Sequence, residues 1–138
     1  MRFEGRVFRV GRHWAVEVPI LDVVSQGRTK KEALDMIADA VESLVNRPGF
    51  TLEVFPGTGE HFEVSSEDQP TLTAFLLRRA RQRAGLSLAQ VAERLGATSI
   101  NAYARYEQGR SVPTIQKLSE LFAAVMPHRD LVLVESET

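Results

Sequence analysis

The stretch "LSLAQVAERLGATSINAYARYEQGRSVP" (residues 86–113) contains two short helical patterns that are separated by one glycine. The first pattern begins after Ser87, a residue type whose hydroxyl caps helix N-termini. Its apolar residues recur at helical spacing and form one stripe: Leu88, Val91, Ala92 and Leu95. Gly96 follows this stripe, and glycine readily adopts the left-handed backbone of a tight turn. We therefore predict a helix, a tight turn and a second helix.

The second helical pattern covers residues 99–108 and stops at Gly109. We predict that its outward side chains are Ser99, Asn101 and Arg105, and that its inward side chains are Tyr103 and Tyr106. A helix that only fills a core does not need this set of outward hydrogen-bonding groups. We therefore expect the outward face to bind a partner that offers donors and acceptors.

Two further helices flank this pair. The segment "TLTAFLLRRARQRAG" (71–85) has its predicted core side chains at Leu72, Phe75, Leu76 and Ala80. The segment "SVPTIQKLSELFAAV" (111–125) places Pro113 in a predicted first helical turn. Its predicted core side chains are Ile115, Leu118, Leu121, Phe122 and Val125. Residues 71–127 are thus predicted to form an all-α domain.

The first 65 residues differ from this helical region, because most of their patterns are typical of strands. Strands are predicted at residues 2–10, 13–19, 22–27 and 51–55, and a fifth strand at 61–65 is left open. Thr29 with Glu32 three residues later has the pattern of a helix capping box, and Pro48 ends the helix that follows. The helix carries one apolar stripe, formed by Ala33, Leu34, Ile37, Ala38, Val41, Leu44 and Val45. We predict an α+β domain of β-β-β-α-β order over residues 1–65, with the helix over one sheet.

Two remaining segments connect and end these domains. Residues 66–70 are polar, end in Pro70 and are predicted to be a linker. Residues 128–138 form a tail in which "DLVLVES" (130–136) has the composition of an extra strand. We expect this strand to pair with a second copy of the protein.

Composition limits the classes to which the chain can belong. The chain has 138 residues, 43% of them hydrophobic, which is enough for a packed core. It has no cysteine, so disulfides and cysteine-based zinc sites are excluded. No apolar run approaches the roughly 18 residues of a membrane span, and the N-terminus lacks the pattern of a signal peptide. We expect a cytoplasmic protein with no membrane partner.

The net charge of −1 hides an asymmetry between the two halves. Residues 1–70 carry 8 Lys and Arg against 12 Asp and Glu, a balance of −4. Residues 71–126 carry 8 basic against 3 acidic residues, a balance of +5. A basic domain joined to an acidic one suggests that the basic domain binds a polyanion and that the acidic domain has another task.

The titratable residues do not indicate catalysis. His13, His61 and His128 lie far apart, and none has the spacing of a metal site. Asp22 is the one acid at a strand edge, whereas nuclease chemistry needs several converging carboxylates. We expect no enzyme activity, no metal and no cofactor. The alternative of a nuclease would predict metal-dependent cleavage that Asp22→Ala abolishes.

Residues 72–125 resemble the XRE, or lambda-repressor-like, helix-turn-helix family. The resemblance lies in Ala92, in Gly96 four residues later, and in "YEQG" (106–109) at the end of the second helix. It implies that the second helix enters the major groove of DNA. The implied groove-facing residues are Thr98, Ser99, Asn101, Ala102 and Arg105, and the implied phosphate contacts are Arg110, Arg78, Arg79, Arg81 and Arg83. For Arg81 the alternative is an ion pair with Glu93 or Glu107. The chain has one residue more than the family between the two glycines, so either Ala102 or Tyr103 takes the inward position.

Residues 3–55 resemble the HicB antitoxin family. The resemblance lies in "HWAVEVPILDVVSQGRTKKEALDMIADAVESLV" (13–45), and its more specific part runs from "SQG" (25–27) to "EAL" (32–34). It implies a partial RNase-H-like fold that covers a small HicA-type mRNA-cleaving toxin, while the helix-turn-helix domain represses the shared promoter.

Two hypotheses follow. The first is a HicB-type repressor that binds an operator as a homodimer or higher oligomer, with a small basic HicA-like toxin as a further partner. The second is a stand-alone transcription factor whose N-terminal domain oligomerises or senses a ligand. A neighbouring gene for a small basic RNA-binding protein would distinguish the two.

Overall fold

The computed structural model describes residues 1–137, and its chain divides into two compact units at Leu72 and Thr73. The first unit is an α+β domain and the second is helical. The predicted fold class is therefore confirmed. None of the helices over the described residues is long and apolar enough to cross a membrane.

A five-stranded antiparallel sheet forms the first unit. Its strands are β1 (Phe3–Val10), β2 (His13–Val18), β3 (Val23–Gly27), β4 (Glu53–Pro56) and β5 (His61–Ser65). Their spatial order is β3-β2-β1-β5-β4. The last strand, β5, is thus inserted between β1 and β4, and β4 lies at one edge of the sheet. A 3-10 turn, Pro19–Leu21, connects β2 to β3.

Helix α1 (Lys30–Val45) covers one face of this sheet. The Thr29 hydroxyl accepts a hydrogen bond from the Glu32 N–H at 3.0 Å, so the predicted cap forms. Gly27 permits the close approach of helix and sheet, because a methyl group there would lie 2.4 Å from the Ala33 nitrogen. Four residues of the predicted helical stripe are buried: Ala33, Leu34, Ile37 and Val41. From the sheet the core side chains include Val7, Val16, Val18, Phe62 and Val64. The stripe ends at Val41, since Leu44 is exposed.

The segment predicted as a linker is ordered by hydrogen bonds. The Ser66 hydroxyl donates to the Thr51 carbonyl at 2.8 Å. The Asp68 carboxylate accepts from the Thr71 N–H at 3.1 Å and from the Thr71 hydroxyl at 2.6 Å. Helix α2 (Gln69–Arg83) accordingly begins two residues earlier than predicted, because Asp68 caps its first turn.

Three further helices complete the second unit: α3 (Leu88–Arg94), α4 (Ile100–Glu107) and α5 (Ile115–Val125). Ile115 is 90% exposed, so its predicted place in the core is wrong. The apolar stripe of α5 therefore extends toward the N-terminus of the helix, beyond the residues that are buried. Pro113 stands before the N-cap Thr114 and not within the first turn. Residues 130–137 form neither helix nor strand within the single chain.

Candidate nucleic-acid interface

The turn between α3 and α4 forms as the glycine predicts. Gly96 has a φ of +67°, and an added methyl group would meet no atom within 4 Å. Glycine is therefore needed at this position because of its backbone conformation, and not because a side chain would clash with a neighbour. The Ala97 N–H donates to the Ala92 carbonyl at 2.9 Å, which fixes the turn against the end of α3.

Helix α3 begins with a reciprocal cap. The Ser87 hydroxyl accepts from the Gln90 N–H at 3.1 Å, and the Gln90 side-chain oxygen accepts from the Ser87 N–H at 2.8 Å. At its other end, the Arg94 guanidinium donates to the Ala124 carbonyl of α5 at 3.1 Å. These bonds hold the helix that precedes the turn at both ends.

Helix α4 has one buried and one exposed side. Tyr103 and Ala104 are buried, whereas Ala102 is exposed. Tyr103 therefore takes the inward position that the sequence left open between it and Ala102. The exposed residues of the helix and the turn before it include Thr98, Ser99, Asn101, Ala102 and Arg105. All five implied groove-facing residues thus lie on one continuous segment.

The exposed side of α4 borders an open depression of about 530 Å³. Its lining residues are Ser99, Asn101, Ala102, Arg105, Tyr106 and Ser111. Tyr106 is only half-buried and faces this depression, so its predicted inward orientation is not what the structure shows. The Ser99 side chain makes no capping hydrogen bond to its own helix. The depression thus presents hydroxyl, amide and guanidinium groups together.

Ser111 is a lining residue that the sequence analysis missed. The Arg110 and Ser111 N–H groups both donate to the Arg105 carbonyl, at 3.0 Å and 3.3 Å. These bonds fold the chain after Gly109, whose φ is +70°, back against the end of α4. The signal was available, because a glycine in this conformation ends a helix and returns the chain to its last carbonyls.

A buried ion pair holds α4 against α2. Arg81 Nε and Nη2 donate to the two carboxylate oxygens of Glu107 at 2.7 Å and 3.0 Å, and Nη1 donates to the Leu86 carbonyl at 2.9 Å. The two side chains are 15% and 6% exposed. The Glu107 hydrogen bond raises the pKa of Arg81 above its usual value. Arg81 therefore binds Glu107 within the protein, which is one of the alternatives to a phosphate contact that the sequence left open.

Tyr103 lies beside this pair. Its hydroxyl is buried and makes no hydrogen bond that meets the usual distance and angle limits. Burial, and secondarily the neighbouring Glu107 carboxylate, raise the pKa of the Tyr103 hydroxyl well above its usual value. The phenol therefore stays neutral, and its ring acts as the central apolar contact of α4.

Thr98 and the predicted phosphate contacts Arg110 and Arg79 are not among the residues that line the depression. Arg110 is exposed directly after Gly109. Arg79 is half-buried on α2, where its Nη1 lies 3.4 Å from the Gln82 side-chain oxygen. Within residues 1–137, no group of three His, Cys, Asp or Glu side chains could hold a metal ion.

Comparison with known proteins identifies the second unit. Residues 74–130 match a family model described as a helix-turn-helix domain. No curated protein sequence matches the chain significantly. The matched range includes most of α2 and all of α3, α4 and α5, and the geometry of Gly96 and Tyr103 fits the same motif. The C-terminal part of the chain is therefore a helix-turn-helix domain, which supports a DNA-binding regulator.

Proposed function

We propose that the protein is a sequence-specific DNA-binding repressor that reads the major groove with α4. The observation that carries this proposal is the two-sided burial of α4. Tyr103 and Ala104 anchor the helix, and Ser99, Asn101 and Arg105 are exposed together. Each of the three exposed side chains has donors or acceptors that match base edges.

The three side chains suit different bases. An asparagine amide pairs with the N6 and N7 groups of adenine, and an arginine guanidinium pairs with O6 and N7 of guanine. A serine hydroxyl serves either donor or acceptor edges. The excess of basic residues over 71–126 supports binding to the phosphate backbone, for which Arg79 and Arg110 are the proposed contacts.

The test is a gel-shift titration against DNA from upstream of the protein's own gene, with unrelated DNA as competitor, at two salt concentrations. Arg105→Ala should cost about 1–3 kcal/mol of binding to the preferred site and relax the preference at one base pair. Arg79→Ala should weaken binding to all DNA and lower the salt slope by about one. Arg12→Ala, an exposed arginine of the first unit, is the matched control.

These variants distinguish base reading by α4 from binding that depends only on charge. An unchanged base preference in Arg105→Ala would refute the assignment of Arg105 as a base contact. Equal weakening by Arg12→Ala would show that binding depends on total charge and not on α4. Absence of binding to any DNA by the wild-type protein would refute the repressor itself.

We further propose that the first unit is of HicB antitoxin type, mediates self-association and neutralises a small basic HicA-like toxin. Two observations support this. The "SQG" to "EAL" segment forms the β3–α1 junction, where Gly27 allows the close helix approach. The unit is also acidic, which would favour rapid association with a basic RNA-binding protein.

The toxin proposal is tested by co-expressing the chain with a small basic protein encoded beside it and measuring association rates. Reversal of two exposed acids of α1, Asp35→Lys with Asp39→Lys, should slow association in low salt. Glu93→Lys with Glu120→Lys, two exposed acids of the second unit, is the matched control. If no neighbouring protein binds, the first unit is better explained as the oligomerisation or ligand-sensing domain of a stand-alone regulator.

A further inference from the structure

The C-terminal tail exposes an unusual run of apolar side chains. Leu131, Val132, Leu133 and Val134 are 39%, 82%, 95% and 76% exposed. Four consecutive exposed residues of high strand propensity, with no proline, form a segment that readily pairs with another strand. Within the described chain these residues belong to no sheet. The Leu131 N–H donates to the Asp130 carboxylate at 2.8 Å, whereas the backbone groups of residues 132–134 make no hydrogen bond within the described chain and are available for pairing.

Charged residues flank the run in a way that suits an identical strand. Arg129 and Glu135 are both exposed, and neither forms an ion pair within residues 1–137. When two copies of the tail run antiparallel with Val132 opposite its own copy, Arg129 lies opposite Glu135 of the second copy. The same register places Leu131 opposite Leu133.

Symmetry restricts the registers that two identical strands can adopt. Directly opposed side chains of an antiparallel pair point to the same face of the sheet. A two-fold axis between the strands maps each residue onto its copy on that same face. The residue numbers of two directly opposed positions must therefore differ by an even number. The next symmetric register, centred on Leu133, would place Leu131 opposite Glu135.

We propose that residues 129–135 form a two-stranded antiparallel ribbon with a second copy of this chain, centred on Val132. One face of the ribbon then has Leu131 packed on Leu133, with an Arg129–Glu135 ion pair at each end. This inference rests on the proposed self-association and assigns to it a contact in the second unit, separate from any contact through the first. A two-fold contact there would join two reading helices for an operator with two half-sites.

The chain has no cysteine, so single cysteines report the register directly. In the proposed ribbon Val132→Cys faces its own copy at about 4.5–5.5 Å between Cα atoms, within disulfide range. Leu133→Cys is the matched control, because its two copies would lie about 8 Å apart, beyond that range. Full-length variants are oxidised and run on a non-reducing gel. We expect Val132→Cys to cross-link and Leu133→Cys to remain monomeric on the gel.

Charge reversal supplies a second readout on the Val132→Cys background. Arg129→Glu should slow cross-linking about tenfold, because it places like charges opposite each other at both ends. Adding Glu135→Arg should restore the rate, whereas adding Glu137→Arg should not. Circular dichroism of each variant checks that the fold is unchanged.

Several outcomes would overturn the proposal. Faster cross-linking of Leu133→Cys, or rescue by Glu137→Arg, would show the other register. Equal slow cross-linking at both positions would show random collision. Sedimentation of the wild-type chain distinguishes failure of the ribbon from failure of self-association. A monomer refutes self-association altogether, whereas a dimer without Val132→Cys cross-linking refutes only the ribbon.

Discussion

The two units use the same ionic chemistry with different consequences. On the sheet of the first unit, Arg6 lies 2.8 Å from Glu60 and 3.9 Å from Glu17. The Arg6 and Glu60 side chains are 56% and 58% exposed, so water competes with the pair. In the second unit, the Arg81–Glu107 pair is almost entirely covered. Distance alone thus does not rank ion pairs, and burial decides what their loss would cost.

The largest expected effect is loss of the buried pair. Arg81→Ala leaves the Glu107 carboxylate buried without a partner and should lower the free energy of unfolding by about 3–5 kcal/mol. Arg81→Met with Glu107→Leu should be less damaging than Arg81→Ala, because no charge stays buried. Urea unfolding measures both, with the exposed Arg83→Ala as control. A cost below about 1 kcal/mol for Arg81→Ala would contradict the importance of burial.

The next effect comes from two glycines with the same backbone conformation. Gly96 and Gly59 have φ values of +67° and +63°, and at neither would a methyl group meet another atom within 4 Å. Alanine at either position should cost about 1–2 kcal/mol of stability from backbone strain alone. Only Gly96→Ala should also weaken DNA binding, because it displaces the start of α4. Equal loss of DNA binding in Gly59→Ala would contradict this separation.

A smaller effect is expected at the start of α2. Asp68→Ala removes an N-cap and should cost about 1 kcal/mol at pH 7. The Thr71 hydroxyl, together with the Thr71 N–H and the Arg47 charge, lowers the pKa of Asp68. The contribution of Asp68 to stability is therefore complete above its unfolded pKa of about 3.9 and is lost as pH falls through its lower folded value.

Thermal unfolding of wild type and Asp68→Ala at pH 7 and pH 3 measures this difference. The gap between the two melting temperatures should narrow at pH 3. A gap that stays constant would show that Asp68 acts without its charge. Asp130→Ala, an exposed acid outside the helices, serves as the control.

The smallest effect is expected on the open sheet face. Arg6→Ala removes a guanidinium that binds Glu60 and lies 4.9 Å from the Phe8 ring. The Glu60 hydrogen bond raises the pKa of Arg6, but the group is open to solvent. We expect no measurable change in the unfolding midpoint. A loss comparable to that of Arg81→Ala would remove the contrast between the two units.

Local patterns predicted most of the elements. The capping residues Thr29 and Ser87 and the turn glycine Gly96 act as their types predict, because these roles depend on only a few neighbouring residues. The outward groups of α4 were likewise predicted by helical spacing. Prediction failed where a side chain's surroundings come from distant segments. Ile115 fits an apolar stripe but is exposed, and Tyr106 fits an inward position but borders the depression.

The sequence by itself determined the division into an α+β and a helical region, the turn between α3 and α4, and the polar face of α4. Each follows from periodicity or from the backbone preference of one residue. Only the tertiary structure decided that β5 lies beside β1, that Arg81 binds Glu107, and that Tyr103 is the inward residue of α4. These three features depend on contacts between residues far apart in the chain. Local sequence allows several partners for each residue, and burial in the folded chain selects one of them.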